Sequence, residues 1–168
     1  MRQFIHDAPA YRVIFGRGSI ARLPEEVTRL GARRALIIST PAEQHFATDA
    51  AGRLGNLAAG LFTEAVMHTP ITMVRDARRR AAELQADCYV AIGGGSTIGA
   101  GKSIALETGH PIVAVPTTYA GSEMTPIYGI TEGNLKKTGR DGKVLPKTVI
   151  YDVDLTLSLP AQISGRRG

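Results

Sequence analysis

Few backbones accommodate an apolar run that ends in three glycines and continues at once into small residues, as Cys88-Tyr-Val-Ala-Ile-Gly-Gly-Gly-Ser-Thr-Ile-Gly-Ala-Gly-Lys102 does. The apolar half predicts a buried strand, and the small-residue half a helix from Thr97 to Glu107. Between them, Gly93, Gly94 and Gly95 let the backbone approach an anion closely, and the N–H groups opening the helix point at it. Ser96 and Thr97 are placed to cap that helix and to donate hydroxyls to the same anion. The run is neither of the common phosphate fingerprints. A P-loop ending on Gly101-Lys102-Ser103 would need glycine where Ser96 stands, and Gly-x-Gly-x-x-Gly on Gly93 and Gly95 would need glycine at Ile98.

A chain of 168 residues holds one domain and little more. Its net charge of +5 would suit nucleic acid, but the basic residues are scattered and aromatics make up only 5%. Stacking platforms for bases need aromatics, so nucleic acid is not an expected partner. The single cysteine, Cys88, cannot form an intrachain disulfide and reads as a small buried thiol. No leader or spanning segment is recognised, so no membrane is expected and the cytoplasm is the expected compartment.

Elsewhere, short apolar runs alternate with amphipathic stretches. Strands are predicted at Tyr11 to Phe15, Arg34 to Ser39, Ala58 to Phe62, Pro111 to Val115 and Val144 to Tyr151. Helices are predicted over Ile20 to Leu30, capped by Ser19, over Pro41 to Leu54, and over Ile71 to Gln85. In the last, Val74, Ala77, Ala81 and Leu84 form the apolar face, while Arg75, Arg78, Arg79 and Glu83 are read as solvated. Glu132 to Lys143 is a polar hairpin or loop. The alternation predicts a doubly wound parallel α/β sheet, Rossmann-like, with ligands at the carboxyl ends of its strands.

A second polar stretch follows a buried strand. Pro116-Thr-Thr-Tyr-Ala-Gly-Ser-Glu-Met-Thr125 offers the hydroxyls of Thr117, Thr118 and Ser122 beside the glycine turn, an array suited to a ribose, an amide or a phosphate. The four histidines are dispersed, and Asp152 and Asp154 read as turn-forming acids, so no metal site is expected in these residues.

Gly93-Gly-Gly-Ser96, followed by Pro116-Thr-Thr-x-x-Gly-Ser-Glu123, resembles the iron-containing alcohol dehydrogenase and dehydroquinate synthase-like superfamily. The extension to Lys102, the stretch from Pro116 to Gly129, Thr138-Gly-Arg-Asp141 and Val144-Leu-Pro-Lys-Thr-Val-Ile-Tyr-Asp152 resemble, more narrowly, its maleylacetate reductases. Gly99 fits that branch, where many other relatives carry Asp.

The resemblance implies a cofactor, NADH or NADPH. Its pyrophosphate would lie on Gly93, Gly94, Gly95 and Ser96, and its ribose and nicotinamide side along Thr117, Thr118 and Ser122. Thr40 would face the adenine ribose. Several relatives have Asp at that position, so with Thr40 the repulsion of a 2′-phosphate is absent and NADPH is expected to be tolerated. The implied reaction is reduction of maleylacetate to 3-oxoadipate, with a small dicarboxylate as substrate and a homodimer allowed. The alternatives are a non-catalytic nucleotide-binding module or another dehydrogenase of the superfamily. Residues 1–155 would form the nucleotide-binding domain. Residues 156–168 would start a helical domain, otherwise absent, that completes the cleft and supplies the catalytic contacts.

Overall fold

The structure, a computed structural model, describes residues 11–157; most of the segment expected to begin a further domain, from residue 158 on, lies outside them. Six strands form one parallel sheet: β1 (Arg12–Gly16), β2 (Ala35–Ile38), β3 (Ala58–Phe62), β4 (Cys88–Gly93), β5 (Ile112–Pro116) and β8 (Thr148–Asp152). Their spatial order is β1-β8-β5-β4-β2-β3. Two further strands, β6 (Ile127–Glu132) and β7 (Leu135–Arg140), pair as an antiparallel hairpin outside the sheet. The helices are α1 (Leu23–Arg29), α2 (Gln44–Leu54), α3 (Ile71–Glu83), α4 (Gly95–Thr108) and the single turn α5 (Val153–Thr156).

Successive residues of a strand point to opposite faces, and the central strands show it. Leu36, Ile38, Tyr89, Ala91 and Ile112 pack with α3 and α4 on one face; Ile37, Cys88, Val90, Ile92 and Val113 pack with α1 and α2 on the other. Every residue of β2, β4 and β5 is buried, as expected for strands covered on both sides. Burial pushes the Cys88 thiol up to about 12, which makes it an inert core group. No helix among the described residues is long and apolar enough to cross a membrane.

Four local expectations are corrected. The first helix starts at Leu23, not Ile20. Pro24 suits a first helical turn, and Ser19–Arg22 forms a separate 3-10 turn in which the Ser19 hydroxyl donates to the Tyr151 carbonyl instead of capping. Arg78 is half-buried rather than solvated, because it bridges α3 to α4 through the Ser103 carbonyl at 2.9 Å and Glu107 at 2.7 Å. The hairpin starts at Ile127, turning through Gly133 at φ 59°, where a two-residue turn calls for glycine. The last strand starts at Thr148, after a 3-10 turn at Gly142–Val144 whose cap is Asp141, accepting from Lys143 N–H at 2.8 Å.

Candidate nucleotide-binding site

Strand β2 leads through α2 to β3 on one side, and β4 leads through α4 to β5 on the other, yet β2 and β4 are hydrogen-bonded neighbours. The two helices leave on opposite faces, so a crevice opens between the carboxyl ends of these strands. This is the topological switch point, where open α/β sheets take ligands. Gly93 lies in register with Pro116, and Thr117 N–H donates to the Gly93 carbonyl at 3.1 Å. The glycine turn and the hydroxyl-rich loop therefore leave the sheet side by side.

Each glycine of the turn is held by its neighbours. A Cβ on Gly93, whose φ is +151°, would sit 2.5 Å from Thr97 Oγ1 and 2.6 Å from Glu43 Oε2. On Gly94 it would meet the Thr118 side chain at 3.2 Å, and on Gly95 the Ala120 Cβ at 3.4 Å. Gly94 is the N-cap, so α4 begins two residues earlier than its sequence suggested. Ser96 and Thr97 fall inside its first turn, and no side chain caps it. Its first N–H groups have no acceptor within the helix. Thr97 Oγ1, buried beneath the turn, has no hydrogen-bond partner among the described residues. An uncapped 14-residue helix behind a bare glycine turn fits an anionic group such as a pyrophosphate.

Two residues shape the crevice in ways that local sequence did not indicate. The first is Glu43, which reaches across the crevice from the 3-10 turn after β2. Its Oε2 accepts from Thr40 Oγ1 at 2.9 Å and its Oε1 from Thr117 Oγ1 at 2.6 Å. Thr40-Pro-Ala-Glu43 has the spacing of a capping box, a signal that could have drawn attention to it. The carboxylate satisfies the threonine hydroxyls instead of the helix N-terminus.

The second is Lys102. It is fully buried and donates to the carbonyls of Ser122 (2.6 Å), Thr125 (2.8 Å) and Ile127 (2.7 Å). Desolvation pulls it down to about 8, against the attraction of Glu123. Its charge is spent on fixing the loop that carries the hydroxyls. A phosphate-binding role for Gly101-Lys102-Ser103 gains nothing from this geometry, since Ser103 Oγ is also committed, to the Ala100 carbonyl at 2.7 Å. On the same loop, Glu123 is buried and accepts from Tyr151 OH at 2.8 Å; burial and that carboxylate both raise the phenol.

Of the residues singled out from sequence, Thr40, Gly93 and Thr117 meet around Glu43 in the crevice, and Gly94 faces Thr118 beside them. Ser96 lies half-buried in the first turn of α4. Gly95 and Ser122 line an adjoining cavity of about 460 Å³ between α4 and the β6–β7 hairpin, which also takes in His68, Gly99, Lys136 and Thr138. Asp152 acts as the turn-forming acid expected: it accepts from the N–H groups of Gly18, Ile20 and Asp154, while Asp154 pairs with Arg17 at 2.8 Å. Among the described residues no three His, Cys, Asp or Glu side chains come together as a metal site.

The family model for iron-containing alcohol dehydrogenases matches residues 9–153. The chain belongs to the iron-containing alcohol dehydrogenase family. Within it, the chain is 54% identical over 168 residues to the maleylacetate reductase of Burkholderia cepacia, covering 100% of this chain and 48% of that protein. It is 56% identical over 162 residues to the maleylacetate reductase of Sphingobium indicum, covering 96% and 46%. The crystal structure of maleylacetate reductase from Rhizobium sp. strain MTP-10005 superposes with a TM-score of 0.95 at 49% identity, over 98% of this chain and 47% of that one. The chain thus spans about half the length of the relatives it matches.

Proposed function

We propose that this chain forms the cofactor-binding half of an NAD(P)H-dependent maleylacetate reductase, which converts maleylacetate to 3-oxoadipate in aromatic-compound degradation. The observation that carries this reading is the uncapped N-terminus of α4 behind Gly93 and Gly94, set in the switch-point crevice beside Thr117 and Thr118. The names of the relatives supply the substrate, a small dicarboxylate.

The nicotinamide cofactor supplies the hydride when bound. The residues of this chain bind and orient it. The first-turn N–H groups of α4 and the glycine turn would hold the pyrophosphate, with Ser96 beside them. Thr117, Thr118 and Ser122 would border the ribose and nicotinamide side, and Lys102 keeps that loop in place from beneath.

A fluorescence titration with NADH tests the reading. Saturable binding is expected, with loss of at least about a hundredfold in Gly94→Asp, which puts a carboxylate and extra bulk into an anion cradle. No binding by the unsubstituted chain would overturn the proposal. This half is expected to bind NADH without consuming it when maleylacetate is added. In a protein that also carries the other half of the relatives' length, NADH that binds but is never consumed would reduce the reading to a non-catalytic nucleotide-binding module.

A further inference from the structure

One side chain crosses the carboxyl end of β4 and joins the strands on either side of it. Glu43 Oε2 accepts from Thr40, which follows β2, and Oε1 accepts from Thr117, which follows β5. β4 lies between those two strands, and Oε2 is 2.6 Å from the Cβ position of its last residue, Gly93. The nucleotide reading lays a dinucleotide along the same line, with the adenine ribose at Thr40, the pyrophosphate over the glycine turn and the nicotinamide side at Thr117. Side chain and cofactor compete for that line. We propose that Glu43 is a latch across the nucleotide site, which swings out to admit the cofactor and so limits how fast and how tightly NADH or NADPH binds. The inference rests on the nucleotide-binding reading above and adds a conformational step to it.

Charge adds to shape in this competition. The carboxylate rests on a turn that suits an anion, and a pyrophosphate brings like charge to the same place. No lysine or arginine pairs with Glu43 among the described residues, so the chain supplies no cation to offset the repulsion. Thr117 is also engaged, since its hydroxyl is donated to Glu43 and has to turn away before it can donate to a ribose.

The latch is lightly held and has somewhere to go. Glu43 is half-buried, and each of its oxygens accepts a single neutral hydroxyl. It ends the 3-10 turn Pro41–Glu43 and is the N-cap residue of α2, a helix start that no side chain caps. Rotation about its side-chain bonds carries the carboxylate from the crevice towards the first turn of α2, where free N–H groups favour a negative charge. The two threonine hydroxyls favour the closed placement; the helix start and the arriving pyrophosphate favour the open one.

Stopped-flow and equilibrium fluorescence titrations of the full chain with NADH and with NADPH test the latch. A site closed about nine-tenths of the time binds about tenfold more weakly than an open one. Glu43→Ala, which removes the latch, is therefore expected to bind both nucleotides about tenfold more tightly. The gain should lie in the association rate, whereas the loss or gain of an ordinary contact acts mainly on dissociation. Glu43→Gln, which keeps the shape and removes the charge, should gain about threefold for both. Equal or weaker binding in both variants would overturn the inference and leave the nucleotide site standing, because Glu43 would then be a bystander or a contact to the cofactor. So would a gain that appears only as slower dissociation, or one confined to NADPH. Failure of the unsubstituted chain and of both variants to bind either nucleotide would remove both this inference and the reading beneath it.

Discussion

At the amino edge of the sheet Glu26 is fully buried, and it accepts from Arg12 at 3.0 Å, from Arg29 at 2.9 Å and from Thr148 at 3.1 Å. At the carboxyl edge Glu43 accepts from two threonines and pairs with no cation among the described residues. Both are glutamates beside a parallel sheet, yet their surroundings differ in kind. Around Glu26 the chain supplies every partner, and Arg12 and Thr148 are themselves opposite each other across β1 and β8. That network closes on itself and ties the edge of the sheet to α1. Around Glu43 the partners are uncharged, acceptor capacity is left over, and the site lies at the switch point. A carboxylate saturated by its own chain is a structural fastener; one left partly unsatisfied in a crevice is placed for something from outside.

The largest effect should come from opening the closed network. Glu26→Ala leaves two guanidinium groups without their acceptor, a loss in the range of about 3–5 kcal/mol for a buried pair. The arginine side chains are 44% and 42% exposed and can return to water, so the low end, about 3 kcal/mol, is expected in urea unfolding. An unchanged midpoint would break the comparison.

Next comes Lys102→Met, which strips a donor from three carbonyls and should cost about 2 kcal/mol. It also isolates a pH effect. Lys102 is held at about 8 in the folded state, below its ordinary value of 10.5. Between those values the unfolded chain binds the extra proton, so the native state gains stability as pH rises, by at most about 1.4 kcal/mol per unit. The stability advantage of the unsubstituted chain over Lys102→Met should therefore grow from pH 8 towards 10 in unfolding curves. A flat difference would mean the ammonium is not held down by burial. The smallest effect is that of Glu43→Gln on stability, within about 0.5 kcal/mol, because the amide keeps the side chain's shape and an acceptor oxygen beside the two threonine hydroxyls, and no cation loses a partner.

The parts of the fold legible in sequence are those that depend on local pattern. β2, β4 and β5 are buried on both faces and so read as unbroken apolar runs; the amphipathic face of α3 shows at Val74, Ala77 and Ala81. The glycine turn was legible because three glycines in a row have few other uses. What could not be read are the residues whose partners are distant in the chain. Glu43 and Thr117 are 74 positions apart, and nothing near Glu43 announces the hydroxyl it meets. Lys102 carried a local signal, Gly-Lys-Ser, that points to phosphate, whereas its real partners are carbonyls 20 to 25 residues away. Pro24 was visible all along, yet which turn it would open depended on how β8 anchors Ser19.

The most direct test of the division between a closed amino edge and a receptive carboxyl edge is the thermal unfolding midpoint with and without NADH. A ligand that binds only the folded state at about one hundred times its dissociation constant adds about 2.7 kcal/mol of stability. The account predicts that NADH raises the midpoint of the unsubstituted chain and, by a similar step from a lower start, that of Glu26→Ala, but not that of Gly94→Asp. An unsubstituted chain whose midpoint ignores NADH, or a shift that survives Gly94→Asp, would contradict it.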